Sequence, residues 1–339
     1  MIKPDLNLLK RLHMARTNKL EPWLLHELSQ MGMSTNQDKE GNITGIKGNG
    51  NGAPLLVAHM DTFKNSPPDS VHFCNNWMIA LDATGRQTYL GADDRAGVYA
   101  VLAIADVIPN VMVLFCVDEE IGCIGSSCFD VDSIPAPGIM LSFDRRGKSD
   151  AIDHTNGVQV CSKAFKHDVL PVLKRFHYAF ETGSCTDIGE LKINGIKASA
   201  LNLSIGYYRE HSTGESLNLG HFTRAMNLGL ALCEWSKGKS YPHKVKRPKR
   251  YGGKEYGKTW YGYDYKRESY SIVNKAVAKD PFYYTKGSGK TSTALDEVYD
   301  ECDRCGRIRQ LFLRSDEFLC SDCMNRADLE SLQPVQEND

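Results

Sequence analysis

Val111–Gly125 reads VMVLFCVDEEIGCIG. An unbroken apolar run passes straight into Asp118, Glu119 and Glu120, and Gly122 follows at once. A short apolar run bounded by turn signals is the pattern of a strand buried in a parallel sheet. Its carboxyl end then delivers two adjacent acids to the crevice at that edge of the sheet. Neighbouring side chains on extended backbone point opposite ways, so Glu119 and Glu120 require a loop and two separate tasks.

Four other stretches end the same way. PLLVAHMD (54–61) is a buried strand ending in His59 and Asp61, and GIMLSFD (138–144) is another, ending in Asp144. GADDRAG (91–97) places Asp93 ahead of a helix from about Asp94 to Ile108, and KASALNLSIG (197–206) is a strand leading to His211 in YYREHSTGES. Helical spacing of apolar residues marks 4–17, 20–33 with Pro22 early in it, 164–175 and 218–235, while SCTDIGELKING (184–195) reads as a capped helix. Short strands are expected at 43–47, 157–161 and 176–180, and a loop of polar residues and prolines after Asp61. Strands alternating with helices predict an α/β fold: a three-layer sandwich around a mostly parallel mixed sheet.

At 339 residues, with 41% hydrophobic and 24% charged residues, the composition is that of an ordinary soluble chain with a full core. Apolar runs fall short of a membrane span, and MIKPDLNLLKRLHMART lacks the apolar core of a secretion signal. Eleven Cys, seven of them scattered through the first 233 residues, suit a reducing compartment rather than a disulfide framework. The expected location is cytoplasmic. The net charge of -1 conceals a basic segment: residues 237–292 hold 15 Lys and Arg against 4 Asp and Glu.

In open α/β sheets ligands gather outside the carboxyl ends of strands. Two imidazoles and several carboxylates meeting there suit zinc and similar borderline metals, with cobalt or manganese also compatible. HMDT, LGADDRAGV, DEEIG, the Asp of SFDRRG and the HSTGE loop, in this order, resemble the co-catalytic dizinc peptidases. That superfamily includes peptidase T, the glutamyl and deblocking aminopeptidases and the bacterial leucyl aminopeptidases, and the resemblance covers roughly residues 50–235.

The resemblance implies that His59 and Asp144 bind one ion, Glu120 and His211 the other, and that Asp93 bridges both. It makes Asp61 the acid that orients His59, Glu119 the general base, and the Asp93–Asp94 bond a cis peptide. Asp187 resembles a recurrent family position and fits a helix N-cap equally well. The implied reaction is amide hydrolysis by a hydroxide bridging the two ions, without a covalent intermediate. An aminopeptidase also needs a carboxylate for the substrate α-amine, a task that Glu120 or Asp93 would share. The stretches His59 to Asp93 and Asp144 to His211 are too short for the inserted lids of peptidase T and the deblocking enzymes. Substrate choice and oligomeric state therefore do not follow from the resemblance. An N-acyl amino acid or another small amide is the alternative substrate.

The remaining chain differs in kind. Residues 237–299 form a basic, Tyr-rich arm whose composition suits a solvated linker, or contact with nucleic acid or another polyanion. KGSGKTS (286–292) is not a P-loop, since Tyr284 stands where the first Gly is required. Cys302 and Cys305, then fourteen residues, then Cys320 and Cys323 give zinc-ribbon spacing for one structural zinc within residues 300–326. So small a module depends on its metal to fold. The third reading, of another class, is a protein that works by binding nucleic acid or a partner through this arm and ribbon. An acidic tail, 327–339, closes the chain, and 1–236 is the expected catalytic domain.

Overall fold

The computed structural model describes residues 1–64 and 66–245, and beyond them the backbone of three strands. Helices α1 (Leu6–His13) and α2 (Thr17–Gln30) open the chain and lead to β1 (Ser34–Gln37), β2 (Ile43–Lys47) and β3 (Pro54–His59). A hairpin, β4 (Ser70–Cys74) and β5 (Trp77–Leu81), and a short β6 (Gln87–Thr88) precede α3 (Ala92–Val107) and β7 (Val111–Cys116). Then come α4 (Ile124–Cys128), β8 (Ile139–Arg145), β9 (Asp150–Thr155), β10 (Val158–Gln159), α5 (Lys163–Arg175) and β11 (Ala179–Gly183). The last elements are α6 (Asp187–Asn194), β12 (Ser199–Ser204), β13 (Tyr207–Tyr208), β14 (Ser216–Asn218) and α7 (Leu219–Trp235).

The main sheet has the order β1-β2-β7-β3-β8-β12-β9-β10, with β11 beside β9. Its centre, β7-β3-β8-β12, is parallel, while β2 and β9 flank it antiparallel. Strand β7 shows why: Val111, Val113 and Phe115 join one core, Met112, Leu114 and Cys116 the other, and all six are buried. A strand apolar on both faces needs a layer on each side. The first core also takes in residues of α1, α2, α3, α5 and α7, and the second takes Ile188 and Leu191 of α6. The sandwich expected from the strand–helix alternation is the one observed.

Three local readings are corrected. Helix α2 starts at Thr17, so Pro22 sits in its second turn rather than its first. The stretch after Asp61 is not all loop. Ser70–Cys74 and Trp77–Leu81 pair through a two-residue turn at Asn75 and Asn76, where Asn75 has φ +51°. This hairpin joins β6, β13 and β14 in a second, antiparallel sheet. Strand β9, DAIDHT, has no counterpart among the expected strands because its polar residues mask the alternation; buried Asp153 is held there by Lys166 and His154.

Past α7 the backbone stays on the body, as Tyr241 O accepts from Ser199 N–H at 2.7 Å and Pro242 bridges Ala198. Lys192, 2% exposed, points its ammonium at the carbonyls of Ile196, Ala198 and His243. Replacing it by Met keeps the apolar stem and leaves three carbonyls without a donor. The expected cost is about 3 kcal/mol, read as a lower urea midpoint, with hydrogen bonds to charged groups as the guide. An unchanged midpoint would mean that water serves those carbonyls equally well.

Beyond residue 245 the described backbone comprises β15 (Val298–Glu301), β16 (Ile308–Arg314) and β17 (Glu317–Cys320), an antiparallel three-stranded sheet. Residues 246–297, most of the basic arm, and Cys302, Cys305 and Cys323 of the expected ribbon lie outside the described residues; Cys320 ends β17. Among the described residues no helix is long and apolar enough to cross a membrane.

Candidate active site

The parallel strands stop at a common edge, and the residues just beyond them converge. His59 closes β3, fully buried, and three acids surround its ring. Asp93 Oδ1 lies 3.0 Å from Nε2, Asp144 Oδ1 lies 3.7 Å from Nε2, and Asp61 Oδ1 lies 3.3 Å from Nδ1. On the far side His211 Nε2 stands 3.3 Å from Asp93 Oδ2 and 2.8 Å from Glu120 Oε2. Asp93 thus presents one oxygen to each imidazole.

The surrounding bonds aim these groups. Asp61 accepts from the N–H groups of Glu119 and Glu120, at 3.2 and 3.0 Å, coupling the His59 ring to the loop after β7. Asp118, at φ +56°, turns that loop out of the extended path. Glu120 therefore reaches His211, while Glu119 meets the Cys123 thiol, which donates to Oε1 at 3.5 Å. The two adjacent acids do part company, as alternation requires. Asp144 accepts from the Thr186 hydroxyl and from Tyr207 OH, each at 3.1 Å, and Asn202 of β12 brackets its backbone.

His211 itself comes from the second sheet, on the β13–β14 connection, at φ +60°. Phe63 stacks on its ring, centroids 4.6 Å apart and planes 15° from parallel, and Tyr89 stacks on Phe63 in turn.

Three residues have jobs that sequence reasoning missed or left open. Glu215, 2% exposed, accepts from the N–H groups of Leu90, Gly91 and Asp93 at 2.9, 2.7 and 3.1 Å. It ties the His211 connection to the turn that carries Asp93; its place in HSTGE was the available signal. Asp94 is fully buried and accepts from His59 N–H and Gly97 N–H. A Cβ on residue 97 would meet its carboxylate at 2.2 Å, so the position needs Gly. The Asp93–Asp94 bond is cis. Asp187 does not cap α6: it is the first residue of that helix, and its carboxylate accepts from Ser126 Oγ at 2.6 Å.

Electrostatics follow from crowding acids out of water. Burial, then the neighbouring acids Asp144, Asp187 and Asp93, push Glu119 well above the usual carboxyl range. Burial does the same to Asp94, and takes Asp187 up to about 7. Burial alone would depress His59, but its contacts with Asp144, Asp61 and Asp93 outweigh that and raise it. His211 is raised to about 10 against burial by Asp93 and Glu120.

So many like charges in one dry site call for a cation. His59, Asp93 and Glu120 offer ligand atoms within 4.8 Å of one another, as do His59, Asp94 and Asp144. Glu120 Oε1 is buried with no hydrogen-bond partner. Carboxylates with two imidazoles are the donor set of zinc and of cobalt or manganese, and the residues present fit such ions.

This chain is a parallel-centred α/β sheet whose strand ends gather imidazoles and acids, and solved aminopeptidases share that fold. Aminopeptidase PepT from Bacillus cereus superposes with a TM-score of 0.57 at 14% identity, over 68% of this chain and 98% of that one. A tripeptidase from Staphylococcus aureus gives 0.55 at 13% identity, over 68% and 98%. An aminopeptidase from the archaeon Desulfurococcus kamchatkensis gives 0.53 at 15%, over 68% and 96%. No protein-family model matches the chain, and neither does any curated protein. At such identities the likeness is one of fold.

Proposed function

We propose that the chain is a dinuclear metal-dependent aminopeptidase that removes residues from the N-terminus of peptides. The observation that carries this is Asp93, whose two oxygens lie 3.0 Å from His59 Nε2 and 3.3 Å from His211 Nε2. In this reading His59 and Asp144 would hold one ion, Glu120 and His211 the other, and Asp93 would serve both. Zinc, or cobalt or manganese in its place, lowers the pKa of a water molecule and polarises the scissile carbonyl when bound.

The chain's own groups do the rest. Glu119 takes a proton from the attacking water and returns it to the leaving amine. A partly dry carboxyl drawn up by burial and down by nearby cations is suited to both halves of that transfer. Asp61 holds His59 in one tautomer and orientation, and Glu120 or Asp93 would share the task of receiving the substrate α-ammonium. Phe63, Pro67, Pro68 and Tyr89 line the cleft beside Asp93 and His211, a wall suited to an apolar N-terminal side chain. Near the end of the chain, Cys302, Cys305, Cys320 and Cys323 would hold one structural zinc. Their spacing, and the position of the first pair directly after β15, support that assignment.

The test is digestion of a mixed-peptide pool by the metal-loaded full chain, read by mass spectrometry. Stepwise loss of N-terminal residues is expected, fastest from apolar termini, abolished by a chelator and restored by added zinc, cobalt or manganese. Intact peptides with metal confirmed bound would remove the peptidase reading. Cleavage of N-acyl amino acids in a parallel assay would then reassign the substrate.

A further inference from the structure

The loop after β7 and the segment entering α6 meet through sulfur. Cys123 Sγ lies 3.5 Å from Cys185 Sγ, and neither cysteine is in a disulfide. Cys123 is 1% exposed and gives its S–H to Glu119 Oε1. Cys185 is half-buried and directly precedes Thr186, whose hydroxyl holds Asp144 Oδ2 at 3.1 Å. One sulfur therefore touches the proposed base, and the other adjoins the support of a proposed metal ligand. A disulfide is about 2.05 Å long, so closing this gap takes roughly 1.5 Å of side-chain movement.

We propose that Cys123 and Cys185 form a dithiol modification site for hydroperoxides, which closes to a disulfide and stops hydrolysis. The hydrolytic consequence rests on the peptidase reading above; the disulfide chemistry does not.

The steps balance with hydrogen peroxide or an alkyl hydroperoxide as oxidant. The sulfur of Cys185, the more accessible of the two, attacks a peroxide oxygen. The O–O bond breaks, Cys185 becomes a sulfenic acid, and water or an alcohol leaves. The Cys123 sulfur then attacks the Cys185 sulfur. The S–S bond forms as the S–O bond breaks, and the hydroxyl departs as water with the proton from Cys123. The two thiols lose two electrons and the peroxide gains them. Closure removes the S–H that Glu119 accepts and draws the Glu119 loop toward Thr186, displacing the base and a support of Asp144 together.

The experiment treats the reduced, metal-loaded full chain with hydrogen peroxide, blocks remaining thiols with an alkylating agent and maps peptides without reduction. A Cys123–Cys185 linked peptide is expected, with peptidase activity falling about tenfold or more and returning on addition of dithiothreitol. Cys185→Ser should retain the basal activity and lose the reversible inactivation. That variant separates this pair from the cysteines at 302, 305, 320 and 323. Both thiols found alkylated after treatment, or equal inactivation of Cys185→Ser, overturns the proposal. If the reduced protein cleaves no peptide, the peptidase reading fails, and with it the control of hydrolysis proposed here; the linked peptide then decides the modification site alone.

Discussion

Glu119→Gln is expected to lower kcat about 10²- to 10⁴-fold, the span that general acid–base catalysis ordinarily contributes. The change is nearly isosteric, and the amide oxygen still accepts the Cys123 S–H bond. The proposed ligand groups of His59, Asp93, Glu120, Asp144 and His211 are untouched, so metal content should equal that of the wild type. KM should change little, because the loss is of a proton acceptor and not of a binding contact. Steady-state kinetics on one peptide, paired with elemental analysis of bound metal, check both halves. Undiminished kcat with metal in place would take the base role from Glu119. Loss of the metals would mean that residue 119 shapes the ion site itself.

Glu215→Leu is expected to be the most destabilising single change near the site. It strips the N–H groups of Leu90, Gly91 and Asp93 of their acceptor inside a buried turn. An unsatisfied buried donor costs about 1–3 kcal/mol, so three together amount to several kcal/mol. A domain with about 5–15 kcal/mol of stability in all would lose much of it. Glu215→Gln keeps one acceptor oxygen and should fold. It should still bind metal about 10- to 100-fold more weakly, because the turn that aims Asp93 is loosened. Denaturant unfolding of the first variant and metal titration of the second separate these effects. A Gln variant with wild-type metal affinity would leave Glu215 a stabilising role alone.

The two predictions differ in how far they could be read from the chain. Glu119 was legible because its signal is local: an apolar run ending in adjacent acids states where a strand stops and what it carries. The same holds for His59, Asp61, Asp93 and Asp144, each within a few residues of a strand end or a helix start. Glu215 was not legible in this way. Its partners lie at residues 90 to 93, across a second sheet that pairs β14 with the β4–β5 hairpin. That hairpin did have a signature, since VHFC and WMIAL flank an Asn-Asn turn. The polar, Pro-containing residues before it made the whole stretch resemble a loop. Strand β9 hid for another reason, its buried Asp153 being paid for by Lys166.

What the sequence by itself determined is the set of elements and the chemical groups at their ends. Backbone periodicity is a property of neighbouring residues, so a strand with two apolar faces or a helix with one announces itself locally. Which ends meet was decided only by the tertiary structure. Asp93 facing both imidazoles, Cys123 against Cys185, and Glu215 under the Asp93 turn all depend on sheet order. That order is set by how the two cores pack on opposite faces of one sheet, and the β13–β14 connection then carries His211 to its edge. Those contacts join residues tens to more than a hundred positions apart, a separation at which local pattern carries no information.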